Sequence, residues 1–120
     1  MQNPENLRVS PLAEDLAVLV YRYTAAFPPE ERFGLTSQMR RAAVSIGSNI
    51  WEGAGRQTNK AFAASLYNSF SEAGELLFQL RLSRRLHYGS ERVATQLRAD
   101  IEQIRRMLMK LIKRVEAATD

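Results

Sequence analysis

The chain has 120 residues, of which 45% are hydrophobic and 25% charged, and its net charge is +4, a composition typical of one folded domain rather than of a disordered chain. The absence of cysteine excludes disulfides, thiolate catalysis and cysteine-rich metal sites, and a single histidine excludes a multi-histidine metal cage. No uncharged run is long enough for a membrane span and the first residues lack the pattern of a secretory signal, so we expect a cytoplasmic protein with no membrane partner.

The N-terminal part predicts a tail followed by a helix. Residues 1–9 are expected to form a flexible tail. Ser10 and Pro11 are typical of a helix N-terminus, because serine caps the first turn and proline suits its first position. Phe27-Pro28-Pro29 should end this helix, since a residue before proline is pushed out of helical geometry. The apolar stripe of this first helix consists of Leu12, Leu16, Leu19 and Tyr23.

Two longer helices are predicted next, in a region without proline. The second should span residues 36–52 and stop at the Gly-Ala-Gly segment that follows. The third should be capped by Thr58 or Asn59 and continue to about Tyr88. The expected core stripes are Met39, Ala43, Ile46 and Ile50 on the second helix, and Phe62, Leu66, Ser69, Ala73, Leu76 and Leu80 on the third.

The fourth helix, capped by Ser90, shows the most regular pattern. From Leu97 to Val115 its apolar residues alternate at spacings of four and three, which is a heptad seam. Four amphipathic helices with short connections predict an all-α fold, an antiparallel up-down-up-down four-helix bundle over residues 10–118.

Several apolar residues lie outside these stripes. A second stripe runs along the third helix, and the second helix carries two further apolar residues one heptad apart. Exposed apolar patches usually mark interfaces, so this surplus predicts self-association. The alternative is that the third helix is central enough to bury two sides within one bundle. The predicted interface residues are Val44, Trp51, Tyr67, Gly74, Phe78 and Leu82.

Basic residues concentrate in the C-terminal third. Between Arg81 and Arg114 there are ten basic residues and three acidic ones. Arginine suits phosphate and carboxylate, and no aromatic residue interleaves with the basic residues of the fourth helix, so we expect contact with nucleic-acid phosphates. A solvated helix face is the alternative. The candidate RNA- or DNA-binding residues are Arg40, Arg41, Arg81, Arg84, Arg85, Arg92, Arg106, Lys110, Lys113 and Arg114.

Motifs of catalysis are missing from the sequence. It contains no phosphate-binding loop, no dinucleotide fingerprint and no HExxH zinc motif. We therefore predict a non-enzymatic binding protein without cofactor or metal. A protein-interaction scaffold that uses the same basic face for a partner protein, without binding nucleic acid, is the alternative function.

The stretch from Phe33 to Arg56 resembles the four-helix bundle proteins encoded in intervening sequences of bacterial 23S ribosomal RNA genes. That family includes the accessory variability determinant proteins of diversity-generating retroelements. Its pattern stands here as Gly34-Leu35, Ser37-Gln38, Arg40-Arg41, Ala42-Ala43, Ser45-Ile46, Asn49-Ile50, Glu52-Gly53 and Arg56. The likeness continues more loosely over residues 10–115. The chain departs from the pattern at Trp51, where alanine is common, and at Ser71-Glu72, where Gly-Ser is usual.

The resemblance also has implications for assembly and partners. It implies a subunit that assembles as a ring, typically a homopentamer, and a role in association with nucleic acid. For retroelement members it also implies a reverse transcriptase as a partner.

Overall fold

The structure, a computed structural model, describes residues 2–118. In this range the chain forms four α-helices and no strand, which confirms the all-α prediction. None of these helices is both long enough and apolar enough to cross a bilayer. The helices are α1 (Val9–Thr24), α2 (Leu35–Ala54), α3 (Asn59–Arg85) and α4 (Glu91–Ala117), and short 3-10 turns cover Pro4–Asn6 and Pro29–Glu31.

Two of the three predicted helix caps are present. The Thr58 hydroxyl accepts a hydrogen bond from the backbone N–H of Ala61 at 3.1 Å, and the Ser90 hydroxyl accepts one from Val93 at 3.3 Å. Ser10 is not a cap, because α1 already begins at Val9 and the serine is buried within the helix.

The segment before α1 is packed rather than loose, so residues 2–9 differ from the predicted flexible tail. Leu7 and Val9 are only 8% and 3% exposed and belong to the core. The backbone N–H of Gln2 donates to the carbonyl of Ala54 at 2.7 Å. Burial of an aliphatic side chain stabilises by about 1.5–3 kcal/mol, which favours the packed position of this segment. Met1 lies outside the described residues.

The core stripes predicted for α2, α3 and α4 are confirmed, since all their members are buried. The α4 seam contributes six of them. The stripe of α1 is shifted: Leu12 and Leu19 are half-buried, and Ala13 and Val20 are fully buried in their place. The buried seam residues of α4 are Leu97, Ile101, Ile104, Leu108, Leu111 and Val115.

The helices pack in a cycle. The backbone of α1 lies close to α2 and α4, and that of α3 lies close to the same two helices. Across the diagonal, the hydroxyl of Tyr23 on α1 is hydrogen-bonded to the hydroxyl of Ser83 on α3 at 2.7 Å. Along α2 and α3 the contacts run in opposite order: the carbonyl of Ile46 accepts a hydrogen bond from Ser69 at 2.8 Å, and the earlier Arg41 pairs with the later Glu75 at 3.8 Å. The bundle measures 48 × 23 × 20 Å.

The second helix does not stop at Gly53, as the sequence predicts, but continues to Ala54. Gly53 is buried where α2 meets the start of α3. A Cβ atom added there would lie 2.7 Å from the Cβ of Ser65 and 3.1 Å from the ring of Phe62. The glycine therefore serves close helix packing instead of ending the helix.

Replacement of this glycine tests the close contact. We expect Gly53→Ala to lower the free energy of unfolding by about 1–3 kcal/mol, because the added methyl overpacks the contact. Gly47→Ala is the matched control within the same helix, where the nearest atom is the Cβ of Ala13 at 3.9 Å. It should raise stability by up to about 1 kcal/mol through helix propensity. Urea denaturation measures both, and equal effects would contradict the packing argument.

Candidate functional site

The outer face of α4 carries a row of five exposed basic side chains, here called the basic stripe: Arg92, Arg106, Lys110, Lys113 and Arg114. They lie within an arc of roughly 100° and extend over about 33 Å of helix. Within residues 2–118 none of them takes part in an ion pair. Glu102, one turn before Arg106, lines the same shallow pocket as Arg106 but pairs with Arg98. The charges of the stripe therefore face solvent without a direct ion pair.

Arg8 extends the basic stripe onto the start of α1. This exposed side chain shares a shallow pocket of about 290 Å³ with Lys110 and Arg114, above the apolar Leu7 and Met107. The sequence analysis missed Arg8 because it assigned this segment to the tail. The burial of Leu7 holds Arg8 beside α4. The apolar Leu7 and Val9 on either side of Arg8 were the sequence feature that could have indicated a packed segment.

The predicted basic pair on α2 is engaged within the subunit. Arg40 donates hydrogen bonds to the Thr24 hydroxyl at 2.8 Å and to the Tyr21 carbonyl at 3.2 Å, and its guanidinium lies 4.6 Å from the centre of the Tyr21 ring. Arg41 forms an ion pair with Glu75 at 3.8 Å. Because α2 does not contact α4, this pair does not join the basic stripe.

The predicted basic residues of α3 line a groove between α3 and α4, here called the arginine groove. Arg84 donates to Glu91 at 2.9 Å and to Thr95 at 3.3 Å, and Arg98 donates to Glu102 at 2.8 Å. The groove has a volume of about 640 Å³ and is lined by Gly74, Leu77, Phe78, Leu80, Arg81, Arg84, Arg85 and Arg98. It combines cationic side chains with an apolar floor.

Arg105 lies beside Gly74 on the same face of α3. The guanidinium of Arg105 crosses from α4 and lies 4.6 Å from the centre of the Phe70 ring. A Cβ atom on Gly74 would lie 3.8 Å from the Nη2 atom of Arg105. Gly74 is thus covered in part by its own subunit, which reduces the room for an approaching partner helix.

Five of the six predicted interface residues are exposed, as expected for side chains outside the core stripes. Trp51 is 52% exposed and Phe78 is 65% exposed, and Val44, Tyr67 and Leu82 also face solvent. Gly74 is the half-buried exception. The alternative, in which α3 buries both sides within one bundle, does not hold in this subunit.

These exposed apolar residues fall on two opposite faces. Val44 and Trp51 border a groove of about 280 Å³ that α2 forms with α1. Val18 and Tyr21, each 46% exposed, extend this α1/α2 patch, which Val18, Tyr21, Val44 and Trp51 define. Phe78 borders the arginine groove between α3 and α4. Since the helices pack in a cycle, these two helix pairs lie on opposite sides of the bundle. The sequence analysis missed Val18 and Tyr21, although both lie off the apolar stripe of α1.

Acidic residues on α3 form no metal site, since no group of three or more metal-ligating side chains occurs within residues 2–118. Glu72 is nevertheless unusual, because one of its carboxylate oxygens is buried without a hydrogen-bond partner. Burial raises the pKa of Glu72 above its ordinary value, the neighbouring Glu75 raises it further, and Arg41 opposes the rise. The ionised form of Glu72 is therefore less favourable in the folded than in the unfolded chain.

We expect Glu72→Gln to stabilise the fold at neutral pH, because the amide carries no charge into this site. A raised pKa in the folded state means that wild-type stability falls as pH rises through the titration of Glu72. The gain in unfolding free energy should therefore be largest at pH 7 and vanish below the ordinary glutamate pKa. Urea denaturation at several pH values measures it, with Glu5→Gln as the control, since Glu5 is exposed and forms no ion pair within residues 2–118. A constant difference across pH would contradict the expectation.

Comparisons with known proteins agree with this architecture. The family model described as 23S rRNA-intervening sequence protein matches residues 5–110. A solved structure of a protein of unknown function from the S23 ribosomal protein family of Bacteroides thetaiotaomicron VPI-5482 superposes with a TM-score of 0.80. The two sequences are 27% identical, and the alignment covers 92% of this chain and 99% of that one. No curated protein matches. The chain belongs to the 23S rRNA-intervening sequence protein family.

Proposed function

We propose that this chain is the subunit of a homo-oligomeric, non-enzymatic protein that binds RNA or DNA through its phosphates. The basic stripe is the observation that carries the proposal. Its five cations have no ion-pair partner within residues 2–118, and they extend over a distance close to one turn of a nucleic-acid duplex. Membership of a family named for 23S rRNA supports RNA as the first nucleic acid to test.

The chemistry of the stripe favours contact with the backbone rather than the bases. Its side chains are lysine and arginine without an aromatic residue between them, so stacking on bases is not provided there. Phosphate contacts position a protein on nucleic acid and carry little sequence information. We therefore infer binding with strong salt dependence and weak sequence preference.

Assembly of several subunits completes the proposal. The opposite order of contacts along α2 and α3 supports an antiparallel, up-down-up-down subunit. The two exposed apolar faces support self-association, and the family resemblance favours a ring of five. Such a ring would repeat the basic stripe around its circumference, which raises avidity for a long polyanion without new contacts in each subunit. A reverse transcriptase is the partner protein that the resemblance suggests.

Neutralisation of two stripe residues tests the nucleic-acid proposal. Arg106→Gln with Lys110→Gln should weaken RNA binding and reduce the slope of log affinity against log salt by about 1.4 for each subunit that contacts single-stranded RNA, because each such subunit loses two phosphate contacts. The matched control is Arg22→Gln with Arg32→Gln, which removes the same charge from exposed positions outside the stripe. Mobility-shift titrations at several salt concentrations give both slopes.

Two results would contradict this proposal. Wild-type protein that binds neither RNA nor DNA at low salt would overturn it and leave the protein-interaction scaffold. Equal losses in the stripe variant and in the control would show that net charge, rather than the basic stripe, attracts the polyanion.

Assembly is tested separately by mass. Light scattering at micromolar concentration should give wild-type protein a molar mass of about five times the subunit mass of 13.6 kDa. The physical reason is the exposed apolar area on two faces, which a monomer would leave in water. A mass of 13.6 kDa would refute the assembly.

A further inference from the structure

We propose that subunits join head to tail, with the α1/α2 patch of one copy docked into the arginine groove of the next. This inference rests on the homo-oligomer of the proposed function and specifies which two surfaces meet. The occupant of the arginine groove is thus a second copy of the chain.

Shape and apolarity match between the two surfaces. On the α1/α2 patch, Trp51 projects beside a shallow groove lined by small residues such as Ala13 and Ala17. On the opposite side, the arginine groove has the larger volume, about 640 Å³ against about 280 Å³, and Phe78 stands at its border with 65% of its surface exposed. Large aromatic side chains anchor interfaces because they bury much area at a small cost in entropy. Each surface therefore offers one aromatic anchor and one recess.

Charge excludes the symmetric alternative, in which two arginine grooves face each other. That contact would bring Arg81 and Arg85 of both copies together, and neither residue has an ion-pair partner within residues 2–118. Juxtaposed like charges cost several kcal/mol at interfaces, an order of magnitude that decides against such a contact. The α1/α2 patch instead presents Glu14 at the edge of its groove.

One arginine stays charged near the α1/α2 patch: Arg40 donates to the neutral Thr24 hydroxyl and to the Tyr21 carbonyl, which turn its guanidinium toward α1. The carboxylate of Glu14 has no ion-pair partner in the described chain, so it can meet a guanidinium of the neighbouring copy. Glu14 thus supplies the charge contact of the patch with the arginine groove.

The size and placement of the surfaces fit an extended assembly. A face 48 Å long and 20–23 Å wide can supply the roughly 800 Å² per partner that a stable interface buries. Because one subunit carries the two surfaces on opposite sides, it can bind two neighbours at once. A heterologous contact of this kind closes into a ring when the rotation between copies permits it.

The proposed contact also divides the basic residues between two roles. Arg81 and Arg85 become covered by the neighbouring copy, and they contribute to assembly. The basic stripe on the outer face of α4 stays accessible, so nucleic acid would bind an already assembled protein.

A mixing experiment tests the pairing. Trp51→Asp removes the anchor of the patch and Phe78→Asp that of the groove, so each variant alone should run as a monomer in light scattering. In an equimolar mixture, the intact groove of the first variant meets the intact patch of the second, and the mass should double. Phe33→Asp is the control, because Phe33 is 87% exposed in the loop before α2, outside both surfaces. It should assemble as the wild type does.

Two results would overturn the pairing while wild-type protein remains oligomeric. One is a single variant that still dimerises, which indicates a symmetric contact, and the other is a mixture that stays monomeric. A monomeric wild type would instead refute the assembly in the proposed function. Circular dichroism checks that the variants are helical. Val44→Asp and Arg81→Glu form a second pair on the same two surfaces if an aspartate at either aromatic position prevents folding, since Val44 borders the groove of the patch and Arg81 lines the arginine groove.

Discussion

The cyclic packing of the helices is the constraint on which the surface of this protein depends. Each helix packs along two neighbours and leaves its outer side to solvent, while core side chains fill the space between the diagonal helices. The hydrogen bond between Tyr23 and Ser83 joins α1 to α3 across this core. Side chains that α2 turns toward α1, such as Trp51, therefore lie opposite those that α3 turns toward α4, such as Phe78. The same amphipathic helices packed in another order would place both residues on one face. The separation of the two apolar surfaces is a property of the packing order.

Arginine serves three physical purposes in this bundle. The guanidinium groups of Arg40 and Arg105 lie over the aromatic rings of neighbouring helices, a contact that a planar and weakly hydrated guanidinium makes better than an ammonium group. Arg84 and Arg98 are held by carboxylates of α4 at the arginine groove. The cations of the basic stripe have no such partner. A net charge of +4 therefore says little about where a polyanion would bind, since part of the arginine content is structural.

The motif that carries the family resemblance acts mainly in packing. Ile46 and Ile50 are fully buried, Gly53 allows the close approach of α3, and Asn49 donates its amide hydrogen bond to the Ser45 carbonyl of its own helix at 2.8 Å. These contacts specify how α2 sits in the bundle. The basic stripe and the arginine groove lie outside the motif, on α3 and α4. The α1/α2 patch, in contrast, takes Val44 and Trp51 from within it.

The sequence alone determined the features that depend on residues close together along the chain. The α4 seam, the caps at Thr58 and Ser90 and the exposure of the second α3 stripe follow from helical periodicity and local hydrogen bonding, so all three could be read from spacing. Tertiary structure alone decided the contacts between distant residues. Leu7 is buried in the core, and this burial places Arg8 next to the basic stripe. Arg40, in contrast, bonds to Thr24 of α1 and does not join the stripe. The physical reason is that burial and charge pairing depend on which helices are neighbours. The periodicity of one helix shows which of its faces is apolar, but not which helix packs against that face.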